Sequence, residues 1–287
     1  CVASTGIAAL LLPGGRTSHS QFKIPLDTTD ETLCSVTKTC QLAHLLKKVD
    51  LVIWDKVPMQ HRHCFEAVHC LFVDLRGTDE DLLFGGVLFI LGGDFAQILP
   101  VIKNGSRPDI VKACLQRSFI WRQLKRLHLR TNMRVCNGSQ DSDFVHWLGR
   151  LPYDPELYGQ ISLPSYISQV ENAVQLINKV YPPGFLQAAK VDPLLFTDQC
   201  ILTTHNDNVK ALNADIIRHY PSGGFQTYES IDSADINSNV VADAGDEAQP
   251  DQIPVELLKT LDPQGLPPSK LELKVGAPIM LIRNLLP

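Results

Sequence analysis

Two short apolar runs, each followed by an aspartate, constrain the fold of this chain more than any other feature. The first run is LVIW (51–54), which leads directly into Asp55, and the second is VLFIL (87–91), which is followed by Gly-Gly-Asp94. Continuous runs of this length are typical of strands that are buried on both faces of a parallel sheet. Because segments with helical spacing lie around the runs, the sequence predicts an α/β fold with a doubly wound parallel sheet.

The other segments continue this alternation along the chain. In the first half, the sequence predicts helices over 40–50 and 59–75 and a third strand over 125–132. The elements expected in the second half are a helix over 163–182, a strand followed by a helix within 200–220 with Asn206 as the cap, an exposed acidic loop over 232–252, and a hairpin or small-barrel strand over 271–284.

The ends of the two apolar runs are the expected position of a ligand site. In open α/β sheets, ligands bind outside the carboxyl ends of the strands. Asp55 and Asp94 are therefore predicted to share one site, and an aspartate at a strand end is a common way to hold a metal ion beside a phosphate. The residue after such an aspartate is often a glutamate that activates water, but here it is Lys56.

Charge is distributed unevenly between two predicted domains, 1–150 and 151–287, whose boundary we place near 135–160. The formal net charge of −5 combines +4 in the first domain (18 Lys and Arg, 14 Asp and Glu) with −9 in the second (8 and 17). Within 102–134 the only acid is Asp109, and the basic residues are Lys103, Arg107, Lys112, Arg117, Arg122, Lys125, Arg126, Arg130 and Arg134. This stretch could face a polyanion or form a solvated helix face, and charge alone leaves both interpretations open.

The eight cysteines include no C-x-x-C pair, which favours a reduced, intracellular setting. The segment HRHCFEAVHC (61–70) comes nearest to a metal cluster, but on a helix its His and Cys side chains spread around the circumference. An amphipathic helix is therefore the ordinary interpretation and a zinc site the alternative. No apolar run reaches the length of about 18 residues that a membrane helix needs.

Six segments carry a resemblance to a known family: VASTGIAALLLPGGRTSHSQFKIP (2–25), LVIWDKVPM (51–59), LFILGGDFAQILPV (88–101), LRTNMRV (129–135), ILTTHNDNVKALN (201–213) and LPPSKLELKVGAPIMLIRNL (266–285). In this order they resemble the PIF-type (petite integration frequency) DNA helicases and, within that family, the helicase modules of Helitron transposons. Each segment alone is a weak signal, whereas six in order across most of the chain are a strong one.

The resemblance implies a RecA-like P-loop NTPase fold, with a first motor domain and part of a second. It implies an ATP-dependent DNA helicase that uses ATP and Mg²⁺ to move 5′ to 3′ along single-stranded DNA and to unwind duplex DNA. In the family, this activity serves DNA repair, recombination and telomere maintenance. DNA as the substrate implies a nuclear location, and no membrane is implied; the oligomeric state stays open.

The resemblance also implies roles for individual residues. Asp55 is expected to orient the magnesium and Gln97 to sense the γ-phosphate, for which an uncharged donor and acceptor is suited. Asp94 is expected in the nucleotide site because of its position after the second strand. Arg134 is expected to reach the triphosphate with its planar fork. The residues expected to reach the DNA strand are Thr5, Gly6, Thr17 and His19.

The sequence departs from the family pattern in several places. The phosphate-binding loop G-x-x-x-x-G-K-[ST] is absent and is expected to precede Cys1, so we expect a fragment that is open at both ends. Ala96 stands where relatives have arginine, and Lys56 stands where the family has the glutamate that polarises the attacking water. A charged lysine cannot accept a proton, so the chain is expected to be inactive alone.

Three other interpretations stay open from the residues. The chain could be a catalytically dead module that retains affinity for DNA or nucleotide, or a transposon-derived remnant without function. It could also be a magnesium-dependent hydrolase of another α/β fold, because a pair of strand-end aspartates is compatible with one. This last interpretation does not predict the segments GGDFAQILPV and LKVGAPIMLIRN.

Overall fold

A computed structural model of the chain describes residues 1–79, 81–133, 142–221, 223–231 and 269–280. The chain divides into two compact units, 1–161 and 162–287. The assignment of the two halves to a first and a second motor domain stays a prediction. Two of the predicted features, Arg134 and the acidic loop over 232–252, lie outside the described residues.

The first unit contains a four-stranded parallel sheet in the order β2-β1-β3-β4. Its strands are β1 (Val2–Ala3), β2 (Arg16–Thr17), β3 (Leu51–Asp55) and β4 (Leu88–Leu91). Both apolar runs therefore form strands as predicted, and they pair with each other in parallel, with Leu51 opposite Leu88. In the described part of the chain β4 is an edge strand, so only β3 of the two is an inner strand.

Helices lie on both faces of this sheet, which confirms the doubly wound arrangement. Successive residues of a strand point to opposite faces, and Val2 belongs to one apolar cluster while Ala3 belongs to the other. The helices of the first unit are α1 (Gly6–Leu10), α2 (Ser18–Phe22), α3 (Gln41–Lys47), α4 (Arg62–Arg76), α5 (Arg107–Ala113), α6 (Phe119–Gln123) and α7 (Ser142–Arg150). Short 3₁₀ helices cover Val57–Met59, Leu83–Gly86, Leu115–Arg117 and Pro155–Leu157.

The main core of the first unit lies between β3 and α4. Trp54 is fully buried, and its ring centroid lies 4.5 Å from that of Phe65 and 5.5 Å from that of Phe22. Phe72 adds an edge-on contact with Phe22 at 6.0 Å. The helical spacing of Phe65, Val68 and Phe72 places these three buried side chains on the sheet-facing side of α4.

Burial of β3 and β4 on both faces, which the continuous apolar runs predicted, is wrong for the described residues. In β3 only Val52 and Trp54 are buried, whereas Leu51 is 45% exposed. In β4 Leu88 is 63% exposed and Ile90 50% exposed. Among the described residues, the apolar cluster on the second face consists of Ala3, Ala8 and Ala9 with Leu12 against it, and it includes no residue of β3 or β4.

The second unit is described as three helices and a two-stranded antiparallel sheet. These are α8 (Ala173–Val180), α9 (Phe185–Val191), α10 (Asn206–His219), β5 (Gln226–Glu229) and β6 (Lys270–Leu273), with a 3₁₀ helix at Pro193–Thr197. The pairing of β5 with β6 confirms a strand at the start of the predicted segment 271–284. Residues 281–284 lie outside the described ranges.

Three predicted elements are wrong or shorter than expected. Residues 125–132 form no strand, and residues 201–203 form no strand either. The helix expected over 163–182 is confined to α8, and α10 begins at Asn206, so that His205 and not Asn206 is at its N-cap position, without a side-chain capping bond. An alternating apolar pattern specifies which side chains share a face, but a strand also needs a neighbour for its backbone hydrogen bonds. In the described ranges, no helix is long and apolar enough to span a membrane.

A tight turn next to α4 gives a prediction about stability. Gly85 has a φ of +59°, and a Cβ there would lie 2.7 Å from the carbonyl oxygen of Phe72. We expect Gly85→Ala to lower the free energy of unfolding by about 2–4 kcal/mol, since left-handed strain and overpacking add. Gly77 is the matched control, because its φ is +63° but a Cβ there meets nothing within 4 Å.

Urea denaturation of the two variants separates the cost of backbone strain from the cost of the Cβ contact with Phe72. Gly77→Ala should cost only the strain, about 1–2 kcal/mol. Equal losses in the two variants would mean that the backbone of α4 does not lie against Gly85.

Candidate functional site

The carboxyl ends of all four parallel strands lie along one edge of the sheet. Ser4 and Thr5 follow β1, Thr17 ends β2, Asp55 ends β3, and the loop 92–97 follows β4. Backbone bonds hold these ends together: Ser4 N donates to Asp55 O at 3.1 Å. The edge therefore gathers residues from four separate segments of the sequence, as a ligand site of an open α/β sheet requires.

The loop after β4 lies directly beside Asp55. Gly92 N donates to Trp54 O at 2.8 Å, and Val57 N donates back to Gly92 O at 3.1 Å. A Cβ on Gly92 would lie 3.5 Å from Oδ1 of Asp55, so the carboxylate lies next to this glycine. These contacts fix the Asp55 carboxylate beside the start of the segment that carries Asp94 and Gln97.

Lys56 adopts a backbone conformation that is uncommon for a residue with a side chain. Its φ is 59° and its ψ 36°, in the left-handed region, immediately after β3 ends. In this conformation its Nζ donates a hydrogen bond to Oε1 of Gln97 at 2.7 Å. Strained backbone of this kind persists only where surrounding contacts over-determine it, and it is common at functional sites.

Gln97 connects Lys56 to Asp94. Its Nε2 donates to Oδ2 of Asp94 at 3.3 Å, and its backbone N donates to the Asp94 carbonyl at 3.1 Å. The second carboxylate oxygen of Asp94 accepts from Ala96 N at 2.9 Å. Cation, amide and carboxylate thus form one hydrogen-bonded chain, Lys56–Gln97–Asp94, which we call the edge chain.

The edge chain has hydrogen-bonding capacity left for a ligand. An ammonium group has three donors, and the contact with Gln97 uses one of them at Nζ of Lys56. Gln97 and Asp94 are both exposed. The arrangement can therefore present a cation and an amide to the oxygens of a phosphate, but the residue after Asp55 offers no group that can take a proton from water.

The donor set around Asp55 fits a magnesium ion that is shared with a phosphate ligand, and not one that the protein encloses. Across the described ranges, no group of three or more His, Cys, Asp and Glu side chains is arranged to hold a metal ion. Magnesium is usually held by one or two carboxylates together with substrate phosphates and water. Asp55 is the side chain that would supply such a carboxylate.

The residues expected to contact DNA lie at the same edge, next to β1 and β2. Two of them cap helices: Thr5 Oγ1 accepts from Ala8 N at 3.3 Å, and Thr17 Oγ1 accepts from Ser20 N at 3.3 Å. Gly6 begins α1 and is exposed. The two hydroxyls therefore have a structural role, and a DNA contact by these residues stays a prediction.

His19 is partly buried behind this edge. Its Nε2 lies 4.0 Å from Sγ of Cys64, and burial lowers the pKa of its imidazole below the ordinary value. The lowered pKa favours the neutral form at neutral pH, which removes a charge that could attract phosphate. A DNA contact by His19 stays a prediction.

A buried polar pair next to the edge could not have been found from the sequence. Ser18 Oγ donates to Oε1 of Gln60 at 2.9 Å, and both residues are buried. This contact ties the start of α2 to the segment that follows β3. Nothing in the local pattern around Ser18 or Gln60 indicates a partner 42 residues away.

The segment 61–70 forms the first part of α4, which confirms the predicted helix. His61 caps it by accepting from His63 N at 3.2 Å, and Cys64 and His69 are buried among apolar side chains. His69 Nδ1 accepts from Phe84 N at 3.0 Å. These histidines therefore contribute to capping and packing. The remaining predicted site residue, Arg134, lies outside the described ranges.

Comparisons with known proteins identify the family of the chain. The sequence pattern of the family described as PIF1-like helicase matches residues 1–151, and that of the DNA helicase Pif1 2B domain matches residues 256–287. The chain is 26% identical over 285 residues to the ATP-dependent DNA helicase PIF1 of Danio rerio, covering 99% of this chain and 37% of that protein. It is 38% identical over 108 residues to the Pif1 helicase of Bdellovibrio bacteriovorus, covering 37% of this chain and 24% of that protein.

Solved structures show the same fold. The Pif1 helicase from Candida albicans matches with a TM-score of 0.57 at 20% identity, over 96% of this chain and 52% of that one. The Pif1 helicase from Bacteroides in complex with ADP-AlF3 and ssDNA matches with a TM-score of 0.54 at 20% identity, over 80% and 50%. The chain thus covers 37% of the Danio rerio relative and about half of each of these two solved structures.

Proposed function

Because the chain belongs to the PIF1-like helicase family, with the family pattern over residues 1–151, we propose that it acts as part of an ATP-dependent DNA helicase. The observation that carries this proposal is the shared edge of the parallel sheet. Four strand ends bring the predicted nucleotide residues and the predicted DNA residues to one side of the fold. Residues at one edge can contact ATP and a DNA strand in the same complex, which suits an activity that couples ATP cleavage to strand movement.

In this proposal the edge chain contacts the triphosphate. Phosphoryl transfer depends on positioning and charge neutralisation rather than on covalent chemistry. Asp55 would hold the magnesium, which supplies charge neutralisation of the phosphates when bound. Gln97 would orient a γ-phosphate oxygen or the attacking water, since its amide both donates and accepts. Asp94 holds that amide in place through its 3.3 Å contact.

The partners we propose are ATP, single-stranded DNA and duplex DNA. The Bacteroides relative was crystallised with ADP-AlF3 and single-stranded DNA, and both ligands are proposed here by family. Movement from 5′ to 3′, roles in DNA repair, recombination and telomere maintenance, and a nuclear location are proposed on the same basis.

A second proposal is favoured by one observation, the contact between Lys56 and Gln97. In place of a base, the site has an ammonium group that donates to Gln97 at 2.7 Å. A chain with this site would bind nucleotide and DNA without turnover, as expected of a catalytically inactive remnant of a transposon helicase. The two proposals make the same prediction for nucleotide binding and different predictions for hydrolysis.

The nucleotide site is tested by binding of a fluorescent ATP analogue to the intact protein in the presence of magnesium. We expect Asp55→Asn to weaken binding by about tenfold, since a contact to a charged group is worth about 1.5–3 kcal/mol. Chelation of magnesium should remove most of the difference in affinity between the Asp55→Asn variant and the wild type. Binding is measured by fluorescence anisotropy.

Asp50→Asn is the matched control. Asp50 is exposed and directly precedes β3, at the opposite end of the strand from Asp55. The Asp50→Asn variant should bind the analogue with the same affinity as the wild type. Equal affinity of Asp55→Asn and wild type would contradict the assignment of the site, and absence of any binding would contradict both proposals.

A further inference from the structure

The segment 103–126 is attached to the first unit through apolar and small side chains. Ala113, Leu115, Ser118 and Ile120 are buried in it, and Leu115 and Ile120 belong to the main core. The charged residues of the segment are left outside. We call its exposed cations the basic surface; they are Lys103, Arg107, Lys112, Arg117, Arg122, Lys125 and Arg126.

In the described residues, the basic surface has a large excess of cations over acids within the segment. Among the residues that the structure describes, none of the seven cations has an ion-pair partner within 4.0 Å. The only acid of the segment is Asp109, and its Oδ2 accepts from both Ser106 N and Ser106 Oγ. These hydrogen bonds lower the pKa of the Asp109 carboxyl and use it for capping α5. A solvated helix face is normally a mixture of both signs.

An aromatic side chain lies beside one of these cations. The guanidinium of Arg126 lies 5.9 Å from the ring centroid of Trp121. Trp121 in turn contacts Phe95 edge-on at 5.3 Å. Phe95 directly follows Asp94 in the loop after β4, so the basic surface adjoins the segment that carries the edge chain.

We propose that the basic surface binds the sugar–phosphate backbone of DNA. Exposed Lys and Arg without ion-pair partners neutralise phosphates and release counterions, and an aromatic ring beside them, here Trp121, can stack on a base that is not paired in a duplex. This surface is separate from the predicted DNA contacts at Thr5, Gly6, Thr17 and His19. The inference rests on DNA as the proposed partner, and it does not depend on ATP turnover.

The test replaces one cation on each of three consecutive short helical segments. The variant is Lys112→Gln, Arg117→Gln and Arg122→Gln, and binding of fluorescein-labelled DNA is measured by anisotropy between 50 and 300 mM KCl. The slope of log Kd against log [KCl] should fall by about 2 for a single-stranded oligonucleotide and about 3 for a duplex. At 100 mM KCl the affinity should fall by roughly a hundredfold.

The matched control has the same change of charge elsewhere in the first unit: Lys23→Gln, Lys47→Gln and Lys48→Gln, all at exposed positions. The control should keep the wild-type salt slope, and both triple variants should melt as the wild type does. A reduced slope with either DNA form supports the proposal and identifies which form the surface holds. An unchanged slope, or equal losses in both variants, overturns it while the helicase proposal stands. No DNA binding by the wild type overturns both.

Discussion

Lys56→Glu is expected to raise the rate of DNA-stimulated ATP hydrolysis in the intact protein by roughly 10²–10⁴, the usual contribution of a positioned general base. A carboxylate at this position can accept a proton from water, which the ammonium of Lys56 cannot do. The substitution also removes the 2.7 Å contact from Nζ to Gln97. Gln97 is then free to orient water or phosphate while Asp94 still holds its amide.

Two control variants separate the effect of adding a carboxylate from the effect of removing the ammonium group of Lys56. Lys56→Gln removes the charge and supplies no base, so it should release Gln97 and leave turnover within a few-fold of the wild type. Lys56→Glu combined with Gln97→Ala should lose most of the gain, since the released amide is absent. The rates are measured by phosphate release with and without single-stranded DNA.

The hydrolysis rates of these variants distinguish the two proposed functions. A gain with Lys56→Glu and none with Lys56→Gln identifies Lys56 as the lesion in a helicase site that is otherwise intact. No gain with Lys56→Glu means that some other departure, such as Ala96, limits turnover, and the chain is then a binding remnant. A gain with both substitutions would show that the contact with Gln97 was inhibitory by itself.

The sequence predicted the parts of the site that depend on strand ends. A run such as LVIW followed by Asp55 places the acid at the carboxyl end of a strand, and parallel pairing then brings the segment with Asp94 beside it. No local rule predicted the edge chain. It depends on the left-handed conformation of Lys56 and on a side-chain contact across 41 residues.

The fold was predictable where one pattern was sufficient and unpredictable where a partner was needed. The spacing of Phe65, Val68 and Phe72 defines the buried face of α4 without reference to any other segment. The segment 125–132 has the composition of a strand, but in the described structure it does not pair with the free edge of β4, which pairs only with β3. Strand formation is a property of two segments, so composition alone could not decide it.

Trp54→Ala is expected to lower the free energy of unfolding by about 3–5 kcal/mol, as large-to-small changes of a fully buried aromatic residue do. Trp54 is 0% exposed, and it joins α4 to β3 through its contact with Phe65. It also directly precedes Asp55, and its carbonyl accepts from Gly92 N. Loss of the ring should therefore loosen the candidate site as well as the core.

Trp54→Phe is the matched variant that keeps the prediction testable if Trp54→Ala does not fold. Nε1 of Trp54 is buried without a hydrogen-bond partner among the described residues. An unsatisfied buried donor costs about 1–3 kcal/mol, so removing it should offset much of the volume lost with phenylalanine. Urea denaturation should place Trp54→Phe within about 1 kcal/mol of the wild type.

Equal, large losses in both variants would show that the indole N–H has a partner and that the core is held by a polar contact there. A small loss for Trp54→Ala would mean that the core is not built around β3.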